Sequence, residues 1–518
     1  MKADPAHAVG DGPLVSKLAG ATMVLSGLAA VIGRWFVPSA LWLDEALSVN
    51  ISSLPIREIG PALRQDGHPP LYYVLLHGWM ELFGTGDAAV RSLSAICSIM
   101  AIPLAWRLGT RLGGKWVGWL VGWLTAVSPY LYRYGGETRM YSLVVVLVFG
   151  LGLGLESTRR SDSLTGPAVV ALCTGALLWT HYWAIWLLAS VGLVLVGDLV
   201  RRSRSHRPTR PNVMAIIAVF LGGLTFLPWI PAMLYQAART GTPWADTARP
   251  TNIAVVALFD FNGGPYAEPQ ILGLLSVLTL VLGIFGRSTG EGRLELTFGP
   301  QPDAVAPATV LAVTFAVSGV AVTALGSGFQ GRYASVMFPA YVVLLGTGLS
   351  RFETGRARTV AVSITAILAL VGCAYTYRLE RTQAPAVADA IRASASTDPL
   401  VAVCPDQLGP ATARALGTGT EVVTYPRFAS PLRVNWVDYA ERNRTNDPVA
   451  FADELLDRAG DRDIFVVYTD GYKTFDNQCG TMVNRLGQSR SGQRLVTVQP
   501  EDYFEPMNLV RFPGVPDS

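Results

Sequence analysis

Long apolar runs separated by short polar stretches fill the first three quarters of the chain. Runs of about 18 or more residues read as membrane-spanning helices rather than core helices. Eleven are predicted, at about 17–37, 88–108, 115–134, 140–155, 167–181, 182–199, 213–235, 271–285, 307–325, 333–349 and 358–375. The first lacks a small-x-small exit and is read as an uncleaved span, not a signal peptide. A shorter apolar piece, 71–83, opens after Pro69-Pro70, which suits an interfacial or re-entrant helix. From about residue 385 the pattern changes. Strands are predicted at 400–404, 421–424, 463–468, 495–499 and 508–512, and helices at 407–416, 450–459 and 480–486. That alternation reads as a small α/β domain with a partly parallel sheet. The predicted fold class is an α-helical polytopic membrane protein, 1–380, followed by a C-terminal α/β domain, 385–518.

Composition agrees with the pattern. Half of the 518 residues are apolar and 15% are charged, where a soluble chain carries roughly 25%. The net charge of +3 leaves no footprint for nucleic acid. The placement of basic residues is more informative. Arg107, Arg111 and Lys115, then Arg159 and Arg160, then Arg201, Arg202, Arg204, Arg207 and Arg210, then Arg287 and Arg293, then Arg351, Arg356 and Arg358 occupy alternate loops. Those loops are expected on the cytoplasmic side, with a cytoplasmic amino terminus and an extracytoplasmic C-terminal domain. Counting 71–83 as a span would invert every later loop, so 38–87 is read as one large external loop. Cys97, Cys173 and Cys373 lie in apolar runs; Cys404 and Cys479, in the polar tail, are the candidate disulfide pair.

The chemistry is concentrated at the outer mouths of the spans. There the topology gathers Asp44, Glu45, Asp66, His68, Arg91, Arg133, Glu137, Arg139, Tyr141, His181, Tyr182, Arg332 and Tyr333. Snorkelling residues alone would occupy both interfaces; convergence on one face is what an external active site requires. Carboxylates such as Asp44, Glu45 or Glu137 can take a proton from a hydroxyl, and His68, Arg91, Arg139 and Arg332 can neutralise a phosphate. That division of labour suits a sugar carried on a lipid phosphate. Trp42, Tyr72, Tyr73, Trp79, Tyr130, Tyr132 and Trp183 can stack on sugar faces, though an interfacial aromatic belt is the commoner role of such residues, and Asp246, Asp260 and Asn262 fall in the loop after the seventh span, read as solvated. His77 is read as structural.

These residues carry a resemblance. Trp42-Leu43-Asp44-Glu45, His68-Pro69-Pro70-Leu71-Tyr72-Tyr73, Arg91-Ser92-Leu93-Ser94, Glu137-Thr138-Arg139-Met140-Tyr141, His181-Tyr182 and Gly331-Arg332-Tyr333 resemble the GT-C superfamily of polyprenyl-phosphate-sugar glycosyltransferases. The likeness is to the protein O-mannosyltransferase and lipid A aminoarabinose transferase group, glycosyltransferase family 39-like. It implies a multi-pass plasma-membrane enzyme, inverting transfer, no obligatory metal or other cofactor, and a polyprenyl-phosphate-linked donor, with mannose as default. The acceptor is left open between glycan, glycolipid and protein. The resemblance puts the catalytic base on Asp44, with Glu45 beside it. A basic phosphate contact of the aminoarabinose branch falls on His68, a departure in residue type. Arg91, Arg139, Arg332 and Tyr333 join it on the donor phosphate, and Glu137, Tyr141, His181, Tyr182 and Trp42 are expected at sugar or acceptor. The alternative is a transporter or flippase of lipid-linked sugars, which calls for broken helices and an internal repeat.

Overall fold

The computed structural model describes residues 13–241, 247–264, 267–289, 293–352, 355–394, 396 and 398–514; Asp246 lies outside them. Helix α1 (Pro13–Gly33) leads into three short helices, α2 (Leu43–Ser52), α3 (Ile56–Asp66) and α4 (Leu71–Phe83). Chain chemistry sets these boundaries. α3 stops at Gly67, whose φ of 99° is a left-handed cap. α4 starts directly after the two prolines, where a missing N–H costs nothing. It is 13 residues long, the short apolar helix expected there.

The next two predicted spans form one hairpin. α5 (Asp87–Val127) turns back on itself at Gly114, which has φ 87°, a conformation that glycine reaches without a Cβ clash. Its two arms press together through small residues: a Cβ on Gly118 would lie 2.7 Å from the Trp106 carbonyl. Beyond Ser128, whose side chain caps it, α6 (Pro129–Gly135) is a short turn of helix. α7 (Tyr141–Arg160), α8 (Thr165–Thr180), α9 (Ala184–Arg204) and α10 (Arg210–Leu224) follow, then α11 (Ile230–Arg239). α12 (Pro250–Phe261) occupies what the sequence pattern left as a solvated loop. Its apolar face buries Ile253, Ala257 and Phe261, and Asn262 is buried against Tyr341 and Ser276. α13 (Ala267–Phe285), α14 (Val305–Leu325), α15 (Phe338–Ser350) and α16 (Gly355–Arg378) complete the helices, with a short hairpin of β1 (Gly286–Ser288) and β2 (Leu294–Leu296) after α13. α15 lies at the centre of the packing. A Cβ on Gly346 would meet the Val121 backbone at 3.1 Å, and one on Gly348 the Thr279 carbonyl at 2.0 Å, the close backbone approach that small residues permit in lipid. Among the described residues seven helices are long and apolar enough to cross a membrane, with shorter apolar helices at 17–33, 165–180, 250–261 and 338–350.

The C-terminal region is mixed α/β. Strand β3 (Glu380–Thr382) and helix α17 (Ala384–Ala393) precede β4 (Leu400–Cys404), α18 (Gly409–Leu416), β5 (Glu421–Thr424), α19 (Tyr439–Arg444) and α20 (Pro448–Ala459). β6 (Ile464–Tyr468), α21 (Gln478–Ser489), β7 (Gln493–Val496), β8 (Tyr503–Glu505) and β9 (Asn508–Phe512) follow. A five-stranded sheet runs β5-β4-β6-β9-β7. β4 pairs parallel with β5 and β6, and β9 pairs antiparallel with β6 and β7. β4 and β6 are fully buried, hence their unbroken apolar runs. Cys404 and Cys479 form a disulfide. β8 leaves this sheet to pair with β3, and so carries the last part of the chain back to the helical region.

Candidate active site

α2 packs against α4 on the side of the helical region and against α18 of the C-terminal region. α2 carries Asp44 and Glu45 in its first turn, where carboxylates complement the helix dipole. The two neighbours face different partners. Glu45 is fully buried and takes the Arg91 fork at 2.8 and 2.7 Å, Arg381 at 2.9 Å and the Thr138 N–H at 2.9 Å. Burial alone would drive Glu45 neutral, but the charges of Arg91 and Arg381 prevail and hold its carboxyl at about 2. Arg91 spends its remaining donors on the Ser39 and Ala40 carbonyls. This geometry turns both residues toward protein partners. Glu45 has no face for substrate, and the Arg91 guanidinium is consumed by protein acceptors.

Asp44 faces the other way. Its Oδ2 lies 3.0 Å from Arg332 Nη1 and 3.9 Å from Arg139 Nη2. Arg139, in the turn before α7, reaches Ser48 at 3.1 Å, the Tyr73 hydroxyl at 3.2 Å and His68 Nε2 at 3.1 Å. His68 Nδ1 meets Asp66 at 2.9 Å, and Asp66 also accepts from Tyr73 at 3.2 Å. Because an arginine only donates, His68 Nε2 accepts and its proton sits on Nδ1. Burial opposes the Asp66 charge, yet the bonds from His68 and Tyr73 and the charge of Arg139 hold its carboxyl below the usual range.

Aromatic rings close the other side. The His181 ring lies 6.5 Å from His68, 5.8 Å from Tyr141 and 5.6 Å from Tyr333. His181 Nδ1 accepts the Trp183 N–H, which leaves the proton of the neutral ring on Nε2. Arg332 lies over Trp42 at 5.7 Å and Tyr333 at 5.8 Å. Glu137 is buried, which pushes its carboxyl up despite nearby Arg381, and its Oε1 has no hydrogen-bond partner among the described residues. Arg332 Nε, Arg139 Nε and the Tyr141 hydroxyl are likewise buried without hydrogen bonds. Such groups are costly to leave unpaired in a finished protein core, and here they cluster around one carboxylate.

Asp44, His68, Arg139, Tyr141, His181, Arg332, Tyr333 and Trp42 are therefore brought together. Tyr182 is not: its hydroxyl engages Gln236 and Trp229, on the α11 side. The sequence reading also missed residues. Arg381, in a short polar stretch at the end of the helices, carried no motif. Asp260 is not solvated; it is half-buried beside Tyr134 at 2.8 Å and Arg133 at 3.4 Å. Tyr73 was read as a sugar platform and instead supports Arg139.

The fold is that of a multi-pass helical membrane protein with a C-terminal α/β region, and the family matched within it is a glycosyltransferase family. Residues 67–230 match the family described as dolichyl-phosphate-mannose-protein mannosyltransferase, which sets the transporter alternative aside. That segment holds His68, Arg91, Glu137, Arg139 and His181; Asp44 precedes it and Arg332 follows it. Among solved structures, ArnT from Cupriavidus metallidurans bound to undecaprenyl phosphate is similar at 13% identity, over 96% of this chain and 97% of that one, with TM-score 0.54. Its apo state gives 13% identity, 95% and 98% coverage and TM-score 0.56. At that identity the likeness is one of fold. No curated protein matches the chain.

Proposed function

We propose that this enzyme transfers a sugar, mannose or a similar one, from a polyprenyl-phosphate donor to an acceptor hydroxyl on the extracytoplasmic face. Asp44 accepts the hydroxyl proton, the acceptor oxygen attacks the anomeric carbon with inversion, and the bond from that carbon to the phosphate oxygen breaks. The phosphate leaves as an anion, which needs positive neighbours more than a proton; Arg332, Arg139 and Tyr333 are its proposed contacts, with His68 alongside. The carrying observation is Asp44 at 3.0 Å from an arginine whose Nε has no hydrogen-bond partner among the described residues. One guanidinium then serves base and leaving group together. The family description names a lipid-phosphate mannose, and the similar ArnT structure holds undecaprenyl phosphate; both support a lipid-borne donor.

In the same reading the chain crosses the membrane eleven times, counting both arms of α5, with 1–380 as the catalytic membrane domain and 385–518 as an extracytoplasmic domain. The Cys404–Cys479 bridge supports that side, since disulfides persist in oxidising compartments. No metal is assigned a role. Asp44→Asn is the test: with mannosyl-phosphoundecaprenol as donor and membranes of the source cells as acceptor, turnover falls by about 10²- to 10⁴-fold while expression holds. Wild-type turnover removes Asp44 from the chemistry.

A further inference from the structure

Arg332 does not end the site. Its guanidinium lies over Trp42 at 5.7 Å, and the Trp42 ring meets Phe504 of β8 edge-on, with ring centres 4.9 Å apart. The residue before Arg332 is Gly331, where a Cβ would lie 2.6 Å from Asp260 Oδ2. Glycine there lets an acidic side chain of α12 rest against the backbone beside Arg332. Arg133 joins the two arms: its guanidinium is 3.4 Å from Asp260 and 5.9 Å from the centre of the Phe504 ring. Arg332, Trp42, Phe504, Arg133, Asp260 and Gly331 thus close a ring of contacts one step from Asp44. The far side of that ring reaches solvent. Phe504 is 50% exposed and the Arg133 side chain 33%. The long contact with Asp260 is the Arg133 guanidinium's sole hydrogen bond among the described residues.

We propose that Phe504, Arg133 and Asp260 form the acceptor subsite and that the acceptor is a carbohydrate. The proposal rests on Asp44 acting as base, and it names the substrate class which that reading leaves open. An aromatic face half open to water packs against the C–H side of a sugar ring, and a guanidinium beside a carboxylate presents donors and acceptors together. Neighbouring sugar hydroxyls both donate and accept, so they match such a pair. A serine or threonine side chain brings a single hydroxyl and leaves one partner unmet. The bond formed is glycosidic, from the anomeric carbon of the donor to an acceptor sugar oxygen. The proton of that oxygen passes to Asp44 as the bond to phosphate breaks. The three side chains come from α6, α12 and β8, so the C-terminal region supplies part of the subsite. None of them belongs to the contacts proposed for the donor phosphate, which makes acceptor and donor binding separable.

The experiment mixes the full-length enzyme with methyl glycosides of mannose, glucose, galactose and arabinofuranose, and separately with a blocked threonine peptide. Binding is read by saturation-transfer NMR with no donor present. At least one glycoside binds the wild type, and Phe504→Ala weakens it by about 3- to 10-fold, while Phe504→Trp retains it. Asp260→Asn weakens it by about 10-fold. Undecaprenyl phosphate affinity in Phe504→Ala stays at the wild-type value. With mannosyl-phosphoundecaprenol as donor, transfer to the same glycoside shows a matching rise in acceptor KM. If no glycoside binds, the proposal is overturned, and binding of the peptide alone makes the acceptor a protein. Glycoside affinity unchanged in Phe504→Ala also overturns it; should Asp260→Asn not fold, the two Phe504 variants decide. An active Asp44→Asn sinks the assignment of the base, whereas the acceptor subsite stands or falls on glycoside binding, which needs no turnover.

Discussion

Asp44 and Arg332 meet at 3.0 Å, although they come from opposite ends of the helical region, and among the described residues the arginine's Nε has no hydrogen-bond partner. The pair is held without being saturated, which suits an arginine with a second anion still to bind. Arg332→Ala is expected to weaken undecaprenyl phosphate binding by about 10- to 100-fold, the loss of one charge-assisted contact of roughly 1.5–3 kcal/mol. Arg332→Lys recovers only part, since an ammonium cannot present the fork that reaches both Asp44 and a phosphate. Binding measured by intrinsic tryptophan fluorescence checks this, and unchanged affinity in Arg332→Ala places the phosphate elsewhere.

The chain Asp66–His68–Arg139 makes a different kind of prediction. Asp66 fixes the His68 tautomer, and His68 in turn draws one arm of Arg139, 3.9 Å from Asp44. Asp66→Asn lets the ring flip and releases Arg139 toward Asp44, tightening an ion pair that has to stay loose. Turnover is expected to fall by about 10- to 100-fold, with a smaller effect on undecaprenyl phosphate affinity. Equal losses in both quantities would assign Asp66 to donor binding and not to alignment.

Much of this architecture can be read from the chain because lipid imposes a strong rule: apolar length decides which helices span. The α5 hairpin, α4 after its two prolines, and buried strands β4 and β6 all follow from local pattern. The site was legible to the extent that its residues interrupt apolar sequence, as Asp44, His68, Arg139 and Arg332 do. What stayed hidden depends on tertiary pairing. Nothing local separates Glu45 from Asp44, yet one faces Arg91 and the other Arg332. α12 escaped because its 12 residues are too few for a span. Arg381 belongs to a polar stretch of ordinary composition, and its meaning arises only when β3 folds back over α2.

Glu45 predicts an acid limit to stability. Its folded-state pKa, held at about 2, lies below the ordinary value of 4.5. The stabilisation is therefore complete above about pH 4.5 and is lost as pH falls toward 2. Glu45→Gln removes the carboxylate and leaves Arg91 and Arg381 buried against a neutral amide, a loss of about 3–5 kcal/mol by analogy with broken buried pairs. Thermal unfolding in detergent should show a lowered midpoint for the variant at pH 7 and a shallower decline toward pH 3. An acid slope identical to wild type would mean that other carboxylates set the limit.

The disulfide ties the end of β4 to the start of α21 across 75 residues of sequence, and both cysteines are buried. Closing a loop of that size is worth about 2–4 kcal/mol. Its loss should reach beyond the sheet, because Cys404 and Cys479 share an apolar cluster with Trp42 and Leu43, the residues directly before Asp44. Cys404→Ser with Cys479→Ser is expected to lower the unfolding midpoint of the C-terminal region and to reduce sugar transfer, while the helical region keeps its own melting behaviour. Reductant should do nothing at moderate temperature, since the bridge is shielded, and should reproduce the double variant only once partial unfolding exposes it. Lower stability with undiminished transfer would separate the two effects: the sheet would need the bridge, and the α2 segment would hold its geometry without it.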